Sequence, residues 1–144
     1  KVEVDAKSGA VRFLRYVILH DCGTQLNPGI IEGMVIGSTV HGIGATLLEN
    51  FVYNEDGQLL ASTFMDYLKP LAINVPKFEL GHMESPCPYT LLGTKAVGEG
   101  GSLASLAAIA NAVEDALSPF GVTVTSLPIT PAKVMRAITE TKRI

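Results

Sequence analysis

Cysteine is scarce. The 144 residues hold two, Cys22 and Cys87, far apart in the chain. They form neither a metal-spaced pair nor a disulfide framework, so a reducing, cytoplasmic compartment is the simplest expectation. Basic charge is also short: 11 Lys and Arg stand against 14 Asp and Glu, a net charge of -3 with no basic stripe. Nucleic acid and anionic membrane surfaces are poor partners for such a chain. An unbroken apolar run is missing too. The longest, residues 30–48, is interrupted by Glu32, His41 and four glycines, which argues against a membrane span. No signal peptide, internal repeat or low-complexity tract is visible. Finally, the chain opens on Lys1 rather than methionine, in the middle of an apparent hairpin. The expectation is a single or partial domain over residues 1–144 whose sheet partners lie upstream or on another chain.

What is present suffices for a packed core. Hydrophobic residues make up 47% of the chain, which excludes general disorder. "KVEV", "DAKSG" and "AVRFLRYVILHD" read as strand, turn and strand, with Val11, Phe13, Val17 and Leu19 on one face and Arg12, Tyr16 and His20 on the other. Turn formers in "HDCGTQLNPG" lead into a helix over about 30–50, on which Gly33, Gly37 and Gly44 gather on one side with His41 at its edge. Several glycines on one helix face imply close approach of a backbone or a ligand. Asp56-Gly57 predicts a hairpin turn, and "KFELGHME" a strand. A second helix over about 102–117 follows, with Leu103, Leu106, Ala107, Ala110, Val113 and Leu117 on its apolar face. "VTVTSLPI" reads as a short strand, and Thr130-Pro131 as the start of a last helix to about 141. The fold class is α+β, with mixed sheet pieces and packed helices.

Glu99 is the sharpest chemical candidate. It stands in Gly98-Glu99-Gly100-Gly101, just before a helix N-terminus. Glycines let such a loop pass close to a bulky ligand, and a partly dry carboxylate there could accept a proton. From spacing alone, the commoner role of an acid at this place is to complement the helix dipole. His20, Asp21 and Cys22 are each able to bind metal, but consecutive strand residues point to alternate sides, so a joint site is not expected. His41 could meet a ligand or fill a polar gap in the core, and His82 has no obvious partner. Ser102, Ser105 and the three histidines show no nucleophile elbow. Neither "GIG" nor "GEGG" fits the Rossmann fingerprint in a strand-to-helix turn.

Taken in order, "DCG…NP", "EG…HGIG", "FMDY" and "KAVGEGG" resemble the C-terminal part of the molybdopterin-binding large subunit of the xanthine dehydrogenase and carbon monoxide dehydrogenase-like family. The resemblance covers nearly the whole chain, about Val11 to Arg136. It implies the C-terminal portion of a molybdenum cofactor-binding domain, in an oxidoreductase that hydroxylates an aldehyde, an N-heterocycle or a similar small molecule with oxygen from water. It implies Glu99 as general base at the metal, with His41, Gly42, Lys95, Ala96, Val97 and Gly98 beside the cofactor and no protein ligand to the metal. The cofactor so implied is molybdopterin, as the cytosine dinucleotide. The implied partners are the remainder of the large subunit, a 2Fe-2S small subunit and an FAD medium subunit. One position departs from a common family form: His41 stands where many members carry glutamine ahead of Gly-Ile-Gly, a change that bears on the cofactor contact and on substrate. The alternatives are a non-catalytic subunit that buttresses a partner holding the whole active site, and an autonomous small-molecule binding domain.

Overall fold

The structure, a computed structural model, describes residues 1–141. In chain order it contains β1 (Val2–Val4), β2 (Val11–Phe13), β3 (Tyr16–Asp21), α1 (Pro28–Leu47), β4 (Phe78–Met83), α2 (Gly100–Leu117) and α3 (Pro131–Thr141), with 3₁₀ turns at Ala72–Asn74 and Ser118–Phe120. The α+β class follows as expected. β1 and β2 form an antiparallel pair, whereas β3 and β4 pair in parallel from Tyr16↔Phe78 to Asp21↔Met83. A parallel pair needs a long crossover; here it is α1 and the irregular segment 48–77.

The run 11–20 is not one strand. It bends at Leu14 and Arg15, and the facing alternation inverts there: beyond the bend Tyr16, Ile18 and His20 turn inward, while Val17 and Leu19 are exposed. Long-range bonds impose the inversion. Leu14 N and Arg15 N both donate to the Lys1 carbonyl, at 2.9 and 3.2 Å. The Arg15 guanidinium reaches both Glu79 oxygens, at 2.8 and 2.6 Å, which aligns β3 with β4. Tyr16 then packs edge-on against Phe78 with ring centres 5.2 Å apart, and its hydroxyl donates to Ser105 Oγ at 2.9 Å.

Asn27 caps α1 by accepting from Ile30 N at 3.1 Å, and Pro28 occupies the first turn, where its missing N–H costs nothing. Although α1 is long and apolar enough to cross a membrane by length and composition, it is the central helix of this fold. It buries Ile31, Val35, Thr39, Gly42, Ile43, Gly44 and Thr46. The Thr39 and Thr46 hydroxyls satisfy themselves on the carbonyls of Val35 and Gly42, at 2.8 and 2.7 Å.

The buried stripe of α2 differs from the apolar face expected of it. Gly101, Ser105, Ile109, Val113 and Leu117, spaced by four, are buried, whereas Leu103 is 73% exposed and Ala107 is exposed. Small residues lead this stripe because α2 crosses α1 at close range. A Cβ on Gly42 would lie 2.5 Å from Ser105 Cβ, and one on Gly101 would lie 2.5 Å from the Val35 carbonyl oxygen. Gly121, at φ 67°, closes the 3₁₀ turn that follows the helix. The expected strand in "VTVTSLPI" does not form. Val124 N donates to the Glu114 carboxylate at 2.7 Å and Ile129 N to the Thr46 carbonyl at 2.7 Å, so these amides are spent on a side chain and a helix end. The Asp56-Gly57 hairpin shrinks to one bridge, Tyr53↔Leu59, around the side chain of Asn54, which accepts from Asp56 N and Gln58 N. The last helix starts as expected, with Thr130 Oγ1 accepting from Lys133 N.

Two apolar clusters result. The larger joins Ile43 of α1, Ile109, Val113 and Leu117 of α2, the Val122 and Ile129 loop, and Val134 and Ile138 of α3. The smaller, Cys22, Ile31 and Val35, is packed by Ile18, Leu80 and Val97 and lies under the glycine-rich loop. Because the α1–α2 crossing has no spare room at Gly101, Gly101→Ala is expected to lower stability by about 1–3 kcal/mol, the usual penalty of overpacking. A thermal or denaturant melt of the protein carrying this chain checks it; an unchanged midpoint would show that the helices part freely.

Candidate functional site around Glu99

The loop 95–99 is fastened before it reaches α2. Gly23 and Thr94 form a bridge, and Lys95 N donates to the Cys22 carbonyl at 2.7 Å. Gly93, at φ 72°, adopts a conformation that favours glycine. Its carbonyl accepts from Thr24 N and Cys87 N, at 3.2 and 2.9 Å. At the far end Gly100 N donates to the Val97 carbonyl at 3.1 Å, and Gly101 N to Ser38 Oγ at 3.0 Å.

Asp21 is the electrostatic knot of this fastening. Its carboxylate accepts from Gly23 N at 2.9 Å, from Ser85 N at 3.2 Å, from the Ser85 hydroxyl and from Lys95 Nζ at 3.0 Å. Lys95 Nζ also donates to Ser85 Oγ at 3.0 Å. The Ser85 hydroxyl first, then the Gly23 amide and the Lys95 ammonium, hold the Asp21 carboxyl well below the usual carboxylate range.

Glu99 occupies the N-cap position of α2, yet its side chain makes no capping bond. Its carbonyl accepts from Ser102 N at 3.1 Å and from Ser102 Oγ at 2.9 Å, while its carboxylate is exposed and without a hydrogen-bond partner among the described residues. The glycines that follow serve the inside of the fold. A Cβ on Gly100 would collide with the imidazole of His20, coming within 2.7 Å of its Cδ2, and one on Gly101 would strike α1. They therefore explain how the loop presses against its own chain, with Glu99 left as the side chain that stands outward.

The other candidate residues distribute unevenly. Lys95 is engaged by Asp21 and Ser85, Ala96 is exposed, and Val97 packs onto the smaller apolar cluster. Gly98 faces Met34, whose Cε would be 3.6 Å from an added Cβ. Met34, Gly37 and His41 lie at i, i+3 and i+7 along one exposed strip of α1. Gly33 and Gly37 on that side have nothing within 4 Å of an added Cβ. Gly42 is turned away from it, against Ser105 of α2. His20, Asp21 and Cys22 do alternate: His20 lies under Gly100, Asp21 binds Ser85 and Lys95, and Cys22 is buried. His82 lies beside His20 in the strand register, with Glu32 Oε1 3.9 Å from its Nε2. Sequence reasoning missed Ser38 and Ser85, which carry no local pattern and meet Gly101 and Asp21 across 63 and 64 residues of chain.

Because the folded state lowers the Asp21 carboxyl, the unfolded chain binds its proton more readily, and stability rises with pH through the carboxylate range. The contribution is fully present above the ordinary value of about 3.9 and fades as pH falls through the lower folded value. The stability difference between the native protein and Asp21→Asn, from denaturant melts, is therefore expected to be largest near neutrality and to shrink in acid. A difference that grows in acid would contradict it.

Comparisons with known proteins agree with this architecture. The molybdopterin cofactor-binding domain family matches residues 1–76. The nicotine 6-hydroxylase large subunit of Paenarthrobacter nicotinovorans is 43% identical over 136 residues, covering 94% of this chain and 17% of that protein. The carbon monoxide dehydrogenase large chain of Hydrogenophaga pseudoflava is 34% identical over 139 residues, covering 96% of this chain and 17% of that protein. In the crystal structure of quinoline 2-oxidoreductase from Pseudomonas putida 86, the matching region superposes with a TM-score of 0.93 at 41% identity, covering 96% of this chain and 18% of that one. The chain thus spans less than a fifth of these relatives, and over that span it belongs to the molybdopterin cofactor-binding domains of the xanthine dehydrogenase and carbon monoxide dehydrogenase family.

Proposed function

We propose that this chain supplies the general base of a molybdenum-dependent hydroxylase or dehydrogenase, with Glu99 as that base and the C–H carbon of an aldehyde, N-heterocycle or similar small molecule as the site oxidised. The observation that carries the reading is the state of Glu99: a carboxylate at a helix start, exposed, uncapped and without a partner among the described residues, on a loop fixed at both ends. An acid that merely closed the helix would be expected to bond an amide of the first turn. A base must instead be free to meet a proton within about 2.6–3.2 Å.

The residues present leave a bulky cofactor room to approach. Gly33 and Gly37 leave open room along α1, on the side that Met34 shares with Gly98. The loop 95–98 and the His41 strip would hold the pterin, in the form of a cytosine dinucleotide. Bound there, molybdopterin with molybdenum would supply the two-electron redox chemistry and an activated oxygen. The chain's own part is narrower. Gly100 and Gly101 set the height of the loop, Asp21 and Lys95 fix its root, and the Glu99 carboxylate accepts the proton.

The rest of the large subunit would complete the site. Large apolar side chains stand unburied across segment 51–74 and at 89–92, among them Met65 at 91% and Leu91 at 100% exposure. Such a surface calls for a covering partner. Electrons would leave through a 2Fe-2S subunit and an FAD subunit.

Glu99→Gln keeps the size of the side chain and removes the base. Turnover is expected to fall by about 10²–10⁴-fold, with molybdenum content per protein unchanged by elemental analysis. Retained turnover would remove Glu99 from the chemistry. Metal lost in step with activity would assign the loop a structural duty instead.

A further inference from the structure

We infer that His20 is a positioning residue for Glu99: its imidazole is the footing on which Gly100 rests, and it sets how far the loop stands off the end of β3. The inference rests on the reading of Glu99 as general base.

Three observations converge on His20. First, it lies directly against Gly100, the residue that follows Glu99. The ring lies so close to the Cα of Gly100 that an added Cβ would meet Nε2 and Cδ2. Gly100 follows Glu99 directly, so a shift at Gly100 moves the Glu99 backbone with it. Second, the ring takes its place from packing. Its Nδ1 is buried and has no hydrogen-bond partner among the described residues. A buried polar atom without a partner costs stability, so the fold alone offers no reason to prefer histidine over an apolar ring here. Third, the ring has a neighbour across the sheet. His82 pairs with it in register across β3 and β4, and Glu32 of α1 stands 3.9 Å from His82. The neighbouring Asp21 ties the root of the same loop through Lys95. Consecutive residues of one strand thus hold the two ends of the Glu99 loop.

The consequence is geometric. His20 touches neither proton nor substrate; it places the group that does. Small misplacements of a catalytic group are costly, up to about 100-fold for 1 Å. Removing the ring lets the loop sink toward β3, and enlarging Gly100 lifts it.

The test uses the enzyme purified with its accompanying polypeptides and compares His20→Ala, His20→Phe, Gly100→Ala and the double variant His20→Ala with Gly100→Ala. His20→Ala and Gly100→Ala are each expected to lower kcat by about 10- to 100-fold, with KM and molybdenum content little changed. His20→Phe keeps a ring under Gly100 and is expected to retain most of the rate. In the double variant the missing ring makes room for the new methyl, so kcat is expected to exceed that of Gly100→Ala alone. A readout independent of turnover is amide hydrogen exchange across 97–101 in cofactor-free protein. It should quicken in His20→Ala and stay near native in His20→Phe. Unchanged kcat in both single variants, losses that simply multiply in the double variant, or metal lost in step with rate would overturn the inference. Glu99→Gln, run alongside, separates the two claims: silent His20 variants with an inactive Glu99→Gln reject the footing alone, whereas an active Glu99→Gln rejects the base and the footing's catalytic purpose with it.

Discussion

The seating of Gly100 and Gly101 against the interior is the constraint from which the rest of the site follows. Gly100 lies on the ring of His20, and Gly101 lies on the backbone of α1 at Val35. A Cβ at either position would collide, so α2 begins directly against β3 and α1. The same closeness continues down the crossing, where Gly42 meets Ser105 and the Ser105 hydroxyl joins Tyr16 of β3 to the carbonyl of Gly101. Strand, central helix and second helix are thereby locked at one point. Glu99 is the residue immediately outside that lock, and its side chain is free because the two that follow have none.

Rigid anchorage on one side and openness on the other divide the molecule. Beneath the loop, Asp21 gathers an ammonium, a hydroxyl and two amides, and a small apolar cluster supports Val97. Above it there is bare helix: Gly33 and Gly37 with nothing near them, and His41 exposed. This arrangement suits a group that must be presented accurately to something the chain does not itself enclose. It also suits a chain that spans 17% of the length of two curated relatives it matches. Under the proposed reading, this face supplies a base and a backbone surface, while redox chemistry and substrate selection belong to the cofactor and to the polypeptide around it.

Much of this was legible in the residues. The Thr130-Pro131 start announced α3, because caps act locally; Asn27 and Pro28 read only as turn formers, whereas they are the cap and first turn of α1. The ordered motifs gave the family. The failures share one physical cause. Hydropathy periodicity ranks residues by their wish to be buried and cannot see where backbones must come close. It therefore chose Leu103 over Gly101 and Ser105 for the α2 interface. It also ran residues 11–20 as one strand, because the bonds that bend the chain come from Lys1 and Glu79, at the chain's start and on β4. The glycines around Glu99 were rightly singled out, but the pattern could not say which way they face. Two of them admit the fold's own atoms.

Anomalous diffraction at the molybdenum edge, from crystals of the protein assembled with its accompanying polypeptides, measures the central quantity directly: the distance from the metal to the Glu99 carboxylate. A general base must reach a metal ligand by one hydrogen bond or through one water, each of about 2.6–3.2 Å. The metal peak is therefore expected beside the carboxylate, with the loop still seated on His20. A peak beyond that reach, with the Glu99 oxygens facing bulk water, would contradict it.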